Sequence, residues 1–211
     1  MSSVMLVDDH AVVREGYRRL IEKHKDLTVI AEAPDGQAAY RLYKEHKPDV
    51  VVLDLSMPGK SGIEVLRQLR QWDDGARILI FTMHQNAAYA VQAFQAGAKG
   101  YITKSSAPEL LVDAIRDVAA GRTAISPDVS HTLALARISD ETELLDSLTA
   151  REFDIFRMLA DAKSIAEIST TLNLSPKTVS NYHYLIESKL GVASDIELVH
   201  LAMRLKVVGP G

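Results

Sequence analysis

A chain of 211 residues with 24 Lys plus Arg, 28 Asp plus Glu and a net charge of -4 has the composition of an ordinary globular protein, long enough for one large domain or two small ones. The acid excess excludes a protein that coats nucleic acid through its overall charge, because such binding draws on many Lys and Arg contacts to phosphate; a local DNA contact stays open. The absence of cysteine excludes disulfides, thiolate metal sites and cysteine nucleophiles, and no apolar run approaches the roughly 18 residues of a spanning helix. The start, Met1-Ser2-Ser3-Val4, carries no basic leader, so the expected location is the cytoplasm, with no membrane partner.

Val4-Met5-Leu6-Val7 is a short apolar run that ends in Asp8 and Asp9, and a helix follows with Val12, Val13, Tyr17, Leu20 and Ile21 on one face. Thr28-Val29-Ile30-Ala31 reads as a second strand, Pro34-Asp35-Gly36 as a turn and Ala38 to His46 as a helix. Val50-Val51-Val52-Leu53, mostly β-branched, suits a strand covered on both faces and delivers Asp54 at its carboxyl end. Pro58, Gly59 and Gly62 then turn the chain into a helix that resumes at Ile63. Arg77 to Thr82 is a strand ending in a hydroxyl, Ala87 to Ala96 a helix closed by Gly97, and Lys99 to Thr103 a strand ending at Lys104. Pro108 to Ala120 is the closing helix. Five strand and helix pairs in strict alternation predict a doubly wound parallel sheet, residues 1–121, with helices on both faces.

Regular alternation stops at Gly121, and 122–146 reads as a linker with one helix near Leu133-Ala134-Leu135-Ala136. From 147 to 211 the pattern is only helical. Thr149 with Glu152, Ser164 with Glu167 and Ser194 with Glu197 each give a capping box, and Ser175 before Pro176 marks a further helix start. In the helix from Pro176 to Leu190, Val179, Tyr182, Ile186 and Leu190 point inward, leaving Lys177, Thr178, Ser180, Asn181, Tyr184 and Ser188 outward. A short helix, a three-residue turn and this second helix make a helix-turn-helix, whose second helix suits the major groove.

In the strand order 2-1-3-4-5 the first and third strands are neighbours, so Asp8 and Asp9 come close to Asp54. Clustered carboxylates call for a cation, and an oxygen-only donor set favours Mg²⁺. Thr82 and Lys104 finish their strands on the same edge, offering a hydroxyl and an ammonium to a phosphoryl group on Asp54. His10 reads as a surface partner of the first helix, with no chemistry assigned.

Val7-Asp8-Asp9-His10-Ala11-Val12-Val13-Arg14-Glu15-Gly16, Leu53-Asp54-Leu55-Ser56-Met57-Pro58-Gly59 and Ala96-Gly97-Ala98-Lys99-Gly100-Tyr101-Ile102-Thr103-Lys104 resemble the receiver domain of two-component response regulators, a flavodoxin-like (βα)5 fold. The resemblance implies that Asp54 accepts a phosphoryl group from a sensor histidine kinase. It further implies that Asp9, Asp54 and the Ser56 carbonyl ligate Mg²⁺ with Asp8 acting partly through water, that Thr82 and Lys104 bind the phosphoryl oxygens, and that Tyr101 is the switching aromatic. Many receivers carry a cis proline after the Lys; here Ser105 follows. Leu148-Thr149-Ala150-Arg151-Glu152, Glu167-Ile168, Leu174-Ser175-Pro176-Lys177-Thr178-Val179 and Lys189-Leu190-Gly191-Val192 are similar to the LuxR-type DNA-binding domain, placing the chain with the NarL/FixJ subfamily. By position, Ser180, Asn181 and Tyr184 would face bases, Lys177, Thr178 and Lys189 phosphate, and Asp195 to Leu205 a dimer partner.

Ser180, Tyr182 and Asp195 depart from the family's usual Lys, His and Arg, and 147–211 holds seven Lys plus Arg against seven Asp plus Glu. Few phosphate contacts predict weak binding by one copy and a need for dimerisation. The expected function is a transcription factor in which phosphorylation of Asp54 switches homodimerisation and binding to inverted promoter half-sites. Two rivals stand beside it. A receiver-controlled protein-interaction module would need little DNA affinity. An aspartyl-phosphate phosphatase would want a second acid two residues after Asp54, where the chain has Ser56, so an enzyme is not expected.

Overall fold

The computed structural model of the chain describes residues 1–57, 61–136, 144–145, 147–205 and 207–208. Strands β1 (Ser2–Val7), β2 (Leu27–Ala33), β3 (Val50–Leu53), β4 (Ile78–Thr82) and β5 (Gly100–Thr103) alternate with helices α1 (Ala11–Glu22), α2 (Gly36–His46), α3 (Gly62–Trp72), α4 (Ala87–Gln95) and α5 (Pro108–Ala119). All pairings are parallel and the sheet runs β2-β1-β3-β4-β5, as the alternation predicts. β3, central and apolar throughout, is buried along its length. One layer packs α1 and α5 against the sheet; the other packs α2, α3 and α4. α2 begins two residues earlier than its apolar spacing suggests because Asp35, read as part of a turn, caps it, its carboxylate accepting from the Ala38 N–H at 2.8 Å.

Two expectations need correction, at Gly121 and at Val12, while the helix expected near Leu133 is present. The alternation does not stop at Gly121: that residue turns at φ +80°, and Ala124–Ile125 adds a sixth parallel strand, β6, beside β5. Two residues carry too little periodicity to announce a strand. The apolar patch near Leu133 belongs to a helix, α6 (Pro127–Ala136), which lies on α4 and β5, with Asp128 accepting from Thr103 Oγ1 at 2.8 Å. Val12 is not on the inward face of α1: it is 86% exposed while Ile21 is buried. Nine residues at about 100° each place these two on opposite sides of the helix. Pro58, Gly59, residues 137–143 and 146 of the expected linker, and 206 and 209–211 lie outside the described residues.

The second half is helical: α7 (Ala150–Ala160), α8 (Ile165–Leu172), α9 (Pro176–Leu190) and α10 (Asp195–Arg204). Thr149 with Glu152 and Ser164 with Glu167 form both halves of their capping boxes. Ser194 forms only one: its Oγ accepts from the Glu197 N–H at 3.3 Å, but the Glu197 carboxylate takes the Ala193 N–H at 2.8 Å instead of that of Ser194, whose backbone is fully extended. Asn173, left-handed at φ 52°, ends α8; Ser175 and Pro176 start α9, and Gly191 at φ 67° ends it.

The two halves share one apolar core. α7 packs on α3, Phe153 meets Tyr89 of α4 edge-on with centroids 4.8 Å apart, and Gln92 donates to the Leu148 carbonyl at 3.4 Å. Arg151 Nη1 stands 3.8 Å from Glu64 Oε2, and the Asp154 carboxyl is hydrogen-bonded to the Ser61 side chain.

Gly62 follows the β3–α3 loop so closely that a Cβ there would run into the Asp54 carbonyl and the Leu55 Cα. Gly62→Ala is expected to lower the urea midpoint by an amount worth about 3 kcal/mol; an unchanged midpoint would show that this loop moves freely. Burial pushes Asp154 up to about 6, against the pull of Ser61, Arg157 and Arg151, with Glu64 adding to the rise. Its ordinary value is 3.8, so the protonated carboxyl contributes stability in full below about pH 4, and that contribution is lost as pH rises through about 6. Asp154→Asn, which keeps a neutral group, is expected to stabilise the chain relative to wild type near pH 7.5, by on the order of 2 kcal/mol, and not near pH 4. Equal differences at both pH values would remove Asp154 from the interface energetics.

Candidate functional site

The sheet register assembles the predicted constellation at one edge. Val7 pairs with Leu53, and the Asp54 N–H donates to the Val7 carbonyl at 2.9 Å, so Asp8 and Asp54 leave adjacent strands side by side. Thr82 pairs with Thr103, and the Lys104 N–H donates to the Thr82 carbonyl at 2.7 Å. Asp8, Asp54 and Thr82 are buried. Lys104 Nζ reaches 2.6 Å from both Asp8 Oδ2 and Asp54 Oδ2. Burial opposes the charge on Lys104, but the hydrogen bonds and charges of the two carboxylates outweigh it and hold the ammonium above the ordinary lysine value. The Lys104–Ser105 peptide is trans, no cis bond occurring among the described residues.

Asp9 is half-buried beside His10: its Oδ1 lies 2.8 Å from His10 Nδ1 and makes no hydrogen bond. Asp8, Asp9 and Asp54 offer only oxygen, the donor set of a hard dication, and a buried carboxylate oxygen without a hydrogen bond is what such an ion would use. The residues therefore fit Mg²⁺. Ser56 donates its N–H to Asp54 Oδ1 at 3.1 Å. Tyr101 is fully buried, its hydroxyl donating to the His84 carbonyl at 2.9 Å.

Sequence reasoning missed His84. Two residues beyond Thr82, it carries no motif, yet its N–H points to Thr82 Oγ1 at 3.5 Å and its Nε2 lies 2.9 Å from Ser56 Oγ. Its ring stacks on Tyr89 at 4.1 Å, the same Tyr89 that meets Phe153. Burial, then the nearby Arg157, lowers His84 to about 4, so the ring is neutral at neutral pH. Arg14 was also missed: its Nη1 donates to the Asp8 carbonyl.

On α9, Lys177, Ser180, Asn181 and Tyr184 are exposed, Tyr184 by 72%, with the receiver half docked on α7. Thr178 is half-buried and its hydroxyl is paired with Ser175 Oγ at 2.7 Å in the helix cap. Lys189, expected to face phosphate, is already engaged: Nζ donates to Glu152 Oε2 at 2.6 Å and to the Ser147 carbonyl at 3.1 Å. The buried Glu152 needs a cation, and Lys189 supplies it. Among the described residues no helix is long and apolar enough to cross a membrane.

Residues 4–116 match the family described as response regulator receiver domain, and 146–202 match the bacterial regulatory proteins of the luxR family. Response regulator UvrY of Escherichia coli K12 is 41% identical over 97% of this chain and 94% of its own length; response regulator GacA of Pseudomonas aeruginosa is 39% identical over 97% and 96%. Among solved structures, RcsB of Salmonella enterica serovar Typhimurium, bound to promoter rprA with the phosphomimetic BeF3-, is 27% identical over 95% of this chain and 97% of that one, with a TM-score of 0.71. A LuxR-family response regulator from Aurantimonas sp. SI85-9A1 is 57% identical over 66% of this chain and 99% of its own, with a TM-score of 0.65. The chain belongs to the two-component response regulators of the NarL/FixJ subfamily, DNA-binding regulators of transcription that phosphorylation controls.

Proposed function

We propose that Asp54 is the phosphoacceptor and that its modification is relayed to the DNA-binding half through Thr82, Tyr101 and His84. The observation that carries this is Lys104, held at 2.6 Å from both Asp8 and Asp54 at the ends of neighbouring strands. An Asp54 carboxylate oxygen attacks the phosphorus of a sensor kinase's phosphohistidine; the P–N bond breaks and its electron pair stays on the departing imidazole, which takes up a proton. Lys104 and the Thr82 hydroxyl meet the phosphoryl oxygens. Asp9, Asp54 and the Ser56 carbonyl, with Asp8 through water, would hold Mg²⁺, which supplies positive charge to the transferring group. Ser56 leaves the site without the second acid that a phosphatase uses, so we assign no hydrolytic role.

Once Asp54 carries the phosphoryl group as an acyl phosphate, the carboxylate that Lys104 and the Ser56 N–H now grip has changed, and Thr82 turns toward the new oxygens. His84 is tied to Thr82, Ser56 and Tyr101, and its ring rests on Tyr89, so movement of the β4–α4 loop alters the surface that Phe153 and α7 pack on. We divide the chain into a receiver (1–121), a linker (122–146) whose first half docks on the receiver, and the DNA-binding domain (147–211). Ser180, Asn181 and Tyr184 would read bases while Lys177 and, by its backbone end of α9, Thr178 face phosphate; Lys189 reaches phosphate only by leaving Glu152. Exposed Ile196 and Met203 on α10 suit a second copy, and a homodimer on inverted half-sites in the cytoplasm completes the reading. RcsB caught on a promoter with BeF3- supports this for a relative.

Incubation with acetyl phosphate and Mg²⁺ is expected to add about 80 Da to the wild type by intact mass and nothing to Asp54→Asn; equal gains in both would move the acceptor elsewhere. BeF3- is expected to raise DNA affinity by about tenfold, an effect that Asn181→Ala abolishes by removing binding itself. Tyr89→Leu, which removes the ring between His84 and Phe153, should keep the mass gain but shrink the BeF3- response to about twofold or less. A full response in Tyr89→Leu would overturn the relay.

A further inference from the structure

We infer that Asp128 of α6 is a positioning residue for Lys104: acting through the Thr103 hydroxyl, it fixes the turn from which the ammonium reaches Asp54. The inference rests on the acceptor reading above and deepens it, by bringing the start of the expected linker into the reaction. Lys104 is the first residue past β5, and its neighbours on both sides are bound to one another. Thr103 is fully buried. Ser105 Oγ donates to Thr103 Oγ1 at 3.0 Å, Ser106 Oγ lies 2.9 Å from the same atom, and Thr103 Oγ1 lies 2.8 Å from Asp128 Oδ2.

Proton counting gives this cluster a direction. A hydroxyl has one proton to give and a carboxylate only accepts, so the Thr103 proton goes to Asp128 and Thr103 Oγ1 receives those of Ser105 and Ser106. Ser105 Oγ in turn accepts from Gln85 Nε2 at 2.8 Å. A line of donors thus runs from the β4–α4 loop through both neighbours of Lys104 and ends on one charge, where hydrogen bonds are strongest. That charge is a fixed point, because α6 has its own anchors: Val129 is fully buried, and the Ser126 N–H donates to the Tyr101 carbonyl at 3.0 Å. Lys104 needs such a point. Its Nζ meets two oxygens at 2.6 Å each, and its side chain is only 9% exposed, so a displaced turn is not made good by a change of rotamer.

The test is the time course of mass gain by the full-length protein with acetyl phosphate and Mg²⁺, in wild type, Thr103→Val, Thr103→Ser, Asp128→Ala and the double variant of Thr103→Val with Asp128→Ala, each with its melting midpoint. Well below those midpoints, Thr103→Val and Asp128→Ala are expected to label about tenfold more slowly than wild type. Thr103→Ser is expected to label at the wild-type rate, and the double variant no more slowly than either single one. Packing alone gives the opposite order, since valine keeps the shape of threonine and serine leaves the space of a methyl group. Lower melting midpoints with unchanged labelling would reduce the network to stability and overturn the inference. Thr103→Ser as slow as Thr103→Val, or a double variant slowed by the product of the two, would likewise overturn it. If Thr103→Val does not fold, Asp128→Ala decides alone, and wild-type labelling there sinks the inference. A wild type that gains no mass of about 80 Da overturns the acceptor reading as well, whereas a labelled wild type with undiminished variants overturns this inference only.

Discussion

The structure turns on a repulsion. Two carboxylates, Asp8 and Asp54, are buried side by side at the ends of adjacent strands, and such a pair persists only if positive charge lies between them. Lys104 supplies that charge, and its ability to do so depends on β5 standing in the right register beside β4. The sheet topology is thus not a scaffold that happens to carry the site. Strand order brings the acids together, and strand order brings the cation to them. A change in the charge on Asp54 acts on the Lys104 interaction that joins the ends of β1, β3 and β5.

That edge is connected to the DNA-binding half by contacts of a different kind. Hydrogen bonds run from Ser56 and Thr82 to His84, and from there the connection is through ring faces, His84 on Tyr89 and Tyr89 against Phe153. Ring contacts tolerate little displacement because they depend on offset and angle. A neutral His84 suits this position, since partial burial and the nearby Arg157 disfavour a charged ring there. The coupling is therefore built from groups that carry no net charge, beside a site that is nothing but charge.

Much of this was legible in the residues. Four-residue apolar runs ending in acid, hydroxyl or lysine gave the strands and their order of chemistry, because a buried parallel strand has a composition found in few other settings. Ser and Thr before Glu located three of the four later helices, a local signal that needs no tertiary knowledge. What could not be read depends on contacts between distant parts. Lys189 has the composition of a phosphate ligand and becomes the counter-charge of Glu152 only through the packing of α7 against α9. Val12 looks like its apolar neighbours until the turn of α1 is fixed by Ile21 and by Tyr17 against Phe81. β6 is two residues long, and His84 meets Ser56 and Tyr101 only once β3, β4 and β5 stand side by side.

The docked position of α7 has a consequence for how regulation can work. Because Lys177, Ser180, Asn181 and Tyr184 remain open while the two halves are joined, the receiver does not act as a cover. What the joint fixes is direction: with α7 held against α3 and α4, the axis of α9 is set relative to the sheet. Two copies reading a divided site must present their helices about 34 Å apart, one turn of the duplex. A rigid joint at the wrong angle would forbid that spacing as firmly as a lid would, and a small rotation about α7 would restore it. On the proposed reading, the quantity under control is the separation between two reading heads, while the outward face of α9 stays open throughout.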